Sequence, residues 1–334
     1  MYLEPRSLGL EWKEMVYDGH LASMNDNVTQ LNPDEGGPAG AKDERRAEGG
    51  RMTAIISIGF KTEAFVSGGG TIPAFSHEPA AGDLERLVDT VRGAIGAGGH
   101  VIAIYPDYVA EPSLARLETV RTALNTRRLA TYGSKLPPLA GAALTALAAA
   151  VTPYVKAPGV LLAALPTLEE ELLVLAWLGS VSKLDRPSPS LAQHLASMWP
   201  TSAFGVSFWP EPSVKTLRKK DRAVPLPTTF RPMMLATAAR EGGDITWVEE
   251  VVLPGLGMPP TARFDATPLG PRWWGTARLV EAIAYPVDVP VTARRITQNL
   301  SPFLCRWCAE AIATRHCPFC GMDAARTALV GGAA

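Results

Sequence analysis

Every cysteine in this chain of 334 residues lies in one stretch, CRWCAEAIATRHCPFCG, as Cys305, Cys308, Cys317 and Cys320. The spacing is C-x2-C-x8-C-x2-C. Each C-x2-C turn directs two thiolates at one point while the amides between them face the sulfurs, and two such turns brought together build a tetrahedral four-sulfur site. Pro318 suits the tight turn, and Gly321 can take the positive φ that such a knuckle needs after its last ligand. The same thiols are chemically compatible with iron, with two disulfides or with redox dithiols. The first residues, MYLEPRSLGLEWKEM, carry glutamates and lack the continuous apolar core of a secretory signal. A cytoplasmic location is the expectation, where thiols stay reduced and metal binding outranks disulfides.

The cysteine stretch resembles the zinc-ribbon class with its CPxCG knuckle. The resemblance covers about twenty residues and nothing upstream. It implies one structural zinc ion held by Cys305, Cys308, Cys317 and Cys320, with no open position for catalysis at the metal. The spacer AEAIATRH is short for a three-stranded ribbon and favours a minimal ribbon or knuckle pair, with His316 as the alternative ligand.

Arg294, Arg295, Arg306, Arg315 and Arg326 surround this module in sequence, and Trp307 and Phe319 stand between its ligands. Arginine interleaved with aromatics is a surface that meets phosphates and stacks bases, so Arg306, Trp307 and Arg315 are candidate contacts to a nucleic acid or a protein partner. In the structural alternative the arginines neutralise the thiolate cluster and the aromatics form its small core. The formal net charge of −1 supplies no global field for a polyanion, so any such contact is local.

A second constellation depends on the fold. In open α/β sheets ligands bind beyond the carboxyl ends of the strands. Lys61, Glu63, Asp107, Glu169 and Glu211 follow four strand-like runs, and such a rim suits a divalent cation or divided acid and base roles. Asp107, Glu169 and Glu211 are therefore catalytic candidates, with His77 beside Glu78 as a general base. Against this, Glu169 and Glu170 suit the first turn of a helix for dipole reasons alone. SGGGT (67–71) has neither the P-loop lysine nor the dinucleotide spacing, and the basic run KTLRKKDR (215–222) reads as a solvated loop. No G-x-S-x-G elbow or H-E-x-x-H helix is present.

The elements that must position these groups alternate. TAIISIGF, HVIAIYP, GVLLAALP (159–166) and AFGVSFWP (203–210) read as strands buried on both faces. A helix follows Asp83 and ends at Gly98-Gly99, another carries Leu114, Leu117, Val120 and Leu124, and capping boxes at Thr167/Glu170 and Ser190/Gln193 open two more. The expected fold is α/β, a largely parallel sheet with helices on both faces, followed by a small β-rich region and a C-terminal zinc ribbon.

Residues 136–155 read as a buried alanine-rich helix, with a membrane span as the alternative; no membrane partner is expected. Residues 1–51 read as a disordered or translated-leader segment before a start at Met52. Residues 52–215 form the α/β domain, 216–300 a linker and a hairpin-containing region around Glu241-Gly242-Gly243-Asp244, 301–325 the zinc module and 326–334 a tail. Together these features predict a zinc-binding regulatory protein whose tail docks nucleic acid or protein. The alternative is a hydrolase or transferase with its carboxylates on the sheet rim.

Overall fold

The computed structural model describes residues 53–63, 65, 71–199, 201–227, 231–258 and 263–324. The expected leader and start at Met52, most of the SGGGT turn, Arg326 and the 326–334 tail lie outside the described residues.

The chain is α/β. A parallel sheet in the order β2-β1-β3-β4 is built from β1 (Thr53–Ile58), β2 (Ala74–Phe75), β3 (His100–Pro106) and β4 (Leu129–Ser134). β1 and β3 are largely buried on both faces, as their unbroken apolar runs predict. Ile56, Ile58, Val101 and Ala103 pack against α1 (Asp83–Gly96) and α2 (Ala110–Ala123). Ile55, Ile102 and Ile104 face the other way, into a core shared with α3 (Pro138–Val151) and α4 (Pro158–Glu169).

Across those two helices lies a second, six-stranded sheet. It comprises β5 (Leu173–Leu178), β6 (Ala203–Trp209), β7 (Ser213–Leu217), β8 (Met233–Ala239), β9 (Arg263–Asp265) and β10 (Leu279–Pro286), in the order β7-β6-β5-β10-β8-β9. All of its pairings are antiparallel except that of β8 with β9. On β5 and β10 alternate side chains go to opposite faces: Val174 and Ile283 join the core with α3 and α4, whereas Leu173, Leu175, Val280 and Ala282 pack against Trp247 and Val252. The far face is thus covered by a π-helical turn, Val248–Val252, running into α6 (Leu253–Leu256). The remaining helices are α5 (Leu191–Ala196), α7 (Leu269–Trp274) and α8 (Val289–Thr297), and α8 also packs on α3 and α4. A short ribbon of β11 (Phe303–Leu304) and β12 (Ala311–Ile312) carries the cysteines.

Several expectations change in this frame. GVLLAALP is the body of α4, because Pro158 sits in the first helical turn and the helix buries Val160, Leu161, Ala164 and Leu165. The proposed cap at Thr167/Glu170 is the end of that helix, and LVLAWL after it is the central strand β5. Only β1, β2, β3 and β4 make the parallel sheet; AFGVSFW is β6, antiparallel to β5. The boundary expected after residue 215 falls inside β7, and the six-stranded sheet draws strands from both sides of it. Glu241-Gly242-Gly243-Asp244 joins a strand to the π-helical turn, so no hairpin forms there.

The helix after Asp83, the Ser190/Gln193 capping box and the alanine-rich helix are all present, the last with Ala140, Ala143, Leu144 and Ala148 fully buried. Among the described residues no helix is long and apolar enough to cross a membrane.

Candidate functional site

The carboxyl ends of β1, β3 and β4 point to one edge of the parallel sheet, and the chain leaves that edge through Lys61, Asp107 and Lys135 respectively. Pro137 and Pro138 then start α3, which turns back between the two sheets. Between the N-terminal turn of α3 and the second sheet lies a cavity of about 330 Å³, bounded by Phe65, Leu139, Ala142, Ala238, Phe264 and Glu281, with exposed Lys61 and Arg263 at its open side. A second cavity of about 290 Å³ adjoins it, sharing Lys61, Glu63 and Thr267 and reaching Phe75 and His77. Volumes of this size suit small molecules.

One wall of the larger cavity is chemically unlike the rest. Glu281, in the middle of β10, is fully buried. Strand alternation puts it on the same face as Leu279 and Ile283, toward the helices. Its Oε1 accepts from Trp274 Nε1 at 2.9 Å and from the Leu139 amide at 3.5 Å, so it meets one of the N-terminal amides that α3 cannot satisfy within the helix. Its Oε2 has no hydrogen-bond partner among the described residues, and neither has Thr267 Oγ1 on the same cavity. Burial pushes the Glu281 carboxyl up to about 7, against the opposing pull of Trp274 and Leu139. No motif marks this residue. In LVEAIAYP it is one polar residue in an apolar strand, and an inward-facing charge there is the signal that was available.

The catalytic candidates gather only in part, Asp107 and Glu169 both lying at the end of β4. Asp107 does follow β3 on the sheet edge and lines a separate, wider cleft with Tyr108, Lys135, Arg186, Arg272 and Trp273. Glu169 ends α4 rather than following a strand; it accepts from Ser134 Oγ at 2.7 Å, and burial raises its carboxyl above the usual range. Glu211 lies exposed in the turn between the antiparallel strands β6 and β7. His77 sits 3.6 Å from Glu78 with its ring basicity lowered by burial. Lys61 and Glu63 belong to the mouth of the cavity.

The four cysteines do gather. Cys305 and Cys320 sulfurs are 3.7 Å apart, Cys308 and Cys317 are 3.5 Å apart, and all four lie within 4.8 Å of one another. A tetrahedral zinc with bonds of about 2.3 Å separates its sulfurs by about 3.8 Å, so the set fits a metal ion. The two turns match: Ala309 N donates to Cys305 O and Gly321 N to Cys317 O, with positive φ at Ala309 (58°) and Gly321 (72°). His316 is exposed and outside the sulfur cluster.

This module is docked at the opposite edge of the parallel sheet from the cavity. Ile312, Phe319 and Ala324 form a small core with Ala130 of β4 and Leu162 of α4, and His100 at the start of β3 meets the Phe319 ring edge-on at 4.9 Å. Gly159 allows the approach, since a Cβ there would lie 2.6 Å from the Ala311 carbonyl oxygen. Phe319 is therefore buried, as in the alternative where the aromatics form the module's small core. Arg306 stacks over Trp307 at 5.0 Å, and Arg315 pairs with Asp323 at 3.3 Å.

No protein-family model and no curated protein matches the chain. Solved structures do. A DegV family protein from Eubacterium eligens loaded with heptadecanoic acid is 8% identical over 70% of this chain and 99% of its own, with a TM-score of 0.46. A DegV family protein from Corynebacterium glutamicum is 12% identical over 71% and 97%, with a TM-score of 0.47. A DegV family protein from Thermus thermophilus, described by its fatty acid binding, is 12% identical over 71% and 100%, with a TM-score of 0.47.

The functional expectation is corrected by the chain's own geometry. Within the chain, Arg306, Trp307 and Arg315 make contacts inside the tail itself, and of the rim carboxylates Glu211 lies off the parallel sheet, in the turn between β6 and β7. Among the described residues only the four cysteines gather as a metal-binding set, so the rim carries no cation site built from three carboxylates.

Proposed function

We propose that this chain is a binding protein for a long-chain fatty acid, held with its acyl chain against α3 and its carboxylate at the mouth of the cavity. The observation that supports this reading most is the cavity itself: walls of Phe65, Leu139, Ala142, Ala238 and Phe264, with Lys61 and Arg263 where a head group would emerge. Each methylene taken out of water by such walls contributes about 0.8 kcal/mol, and a cation in a partly desolvated mouth favours a carboxylate over a neutral head. Arg263 also pairs with Glu249, which holds its guanidinium on the β9 side of the opening. Fatty acids are the ligands named for two of the similar structures; the reading rests on the cavity.

The metal fits the same picture as a brace. We assign the four-cysteine site to one structural zinc ion, which would fold residues 303–324 against β4 and α4. Four reduced thiolates suit a cytoplasmic location.

The binding reading is tested by displacement of a fluorescent polyene fatty acid, cis-parinaric acid, by stearate. Saturation at one probe per chain and competitive release by stearate are expected. Ala142→Trp should abolish binding while leaving the circular dichroism spectrum unchanged. A wild-type protein that takes up no probe overturns the proposal.

A further inference from the structure

The cavity is not a purely apolar tunnel, and the exception is specific. Glu281 Oε2 and Thr267 Oγ1 are both buried without a hydrogen-bond partner among the described residues, and both side chains line the same cavity. Buried polar atoms in folded proteins are almost always paired, and an orphan marks a group that something else completes. An unsubstituted acyl chain laid along Leu139 and Ala238 would return no hydrogen bond to either atom.

We propose that the ligand of this cavity is a hydroxylated fatty acid, whose chain hydroxyl bonds to Glu281 and Thr267 while its carboxylate stays at Lys61 and Arg263. This rests on the fatty-acid reading above and narrows it.

Three features favour a hydroxyl over other polar groups. Oε1 of Glu281 is already committed to Trp274 and Leu139, which fixes the carboxyl plane and leaves Oε2 for a ligand. With burial holding that carboxyl near 7, both its forms are present at neutral pH. A hydroxyl donates to the ionised form and accepts from the protonated one, whereas an ammonium serves only the first and a second carboxylate only the other. Thr267 can complete the arrangement from its own hydroxyl in either sense. Glu281 is thus a specificity-determining residue: it penalises a plain chain and rewards a substituted one, the asymmetry that polar sites show toward analogues lacking the matching group.

The test compares matched pairs, stearate with 12-hydroxystearate and palmitate with 16-hydroxypalmitate, by displacement of cis-parinaric acid from the full chain. In the wild type at least one hydroxy acid should bind tenfold or more tightly than its plain partner. Glu281→Met should reduce that preference to under twofold while retaining stearate, and Thr267→Val should reduce it independently if the first variant folds poorly. Equal affinities within both pairs, or a preference that survives both substitutions, overturns the assignment and leaves the fatty-acid reading standing. Failure of all four acids to displace the probe, or of the probe to bind, sinks the parent reading and this one with it.

Discussion

The indole nitrogen of Trp274 donates to Oε1 of Glu281 across 2.9 Å, and both side chains are wholly shielded from solvent. That bond ties α7 to the middle of β10 beneath the first turn of α3. It also sets up a carboxyl with one oxygen satisfied and one free, on the wall of a cavity that is otherwise largely aliphatic and aromatic. The chemistry of the site follows from this asymmetry.

Stability should depend on pH through Glu281. Its folded value, about 7, lies above the 4.5 of an unperturbed glutamate, so between these values the folded chain holds a proton that the unfolded chain has released. The group's contribution is fully present below 4.5 and is lost as pH rises through 7, in total about 3 kcal/mol. Urea denaturation of wild type and Glu281→Gln at pH 5 and pH 8 reads this directly. The variant should gain on the wild type between the two pH values; a constant difference would show that the carboxyl ionises normally.

The paired turns of the cysteine module differ at one position. Ala309 and Gly321 each follow a first knuckle cysteine by four residues and both have positive φ, but only one is glycine. An L side chain in that conformation costs about 1 kcal/mol, so Ala309→Gly should stabilise the module by roughly that amount. Gly321→Ala should destabilise it by a similar amount. Thermal melts of both variants in the metal-loaded protein check the pair.

Metal analysis should find about one zinc per chain, and chelation should release four reactive thiols as the module loses its fold. Because residues 303–324 dock at the sheet edge opposite the cavity, the chelated protein should melt earlier yet still bind fatty acid. Loss of ligand binding in step with zinc would show that the two ends of the sheet are coupled.

Local signals in the sequence located what was locally determined. The helix after Asp83, the Ser190 cap and the four cysteines each announce themselves within a few residues. The α4–β5 segment misleads for a physical reason: α4 is apolar almost all round because sheet, helices and tail bury it from several sides, so it has no amphipathic stripe. Its end then carries Thr167 and Glu170, which mimic a helix start. The candidate site was illegible because its walls come from residues 61, 63, 65, 138, 139, 142, 238, 263, 264, 267 and 281, brought together only by the stacking of two sheets on α3. Nothing near Glu281 in sequence says that its neighbour is the amide of Leu139.

Native mass spectrometry of the full chain incubated with excess stearate, wild type beside Ala142→Phe, tests the central claim most directly. One bound fatty acid is expected on the wild type and none on the variant, whose ring fills the cavity against Leu139 and Phe264. A wild-type chain that stays bare, or a variant that binds equally well, contradicts it.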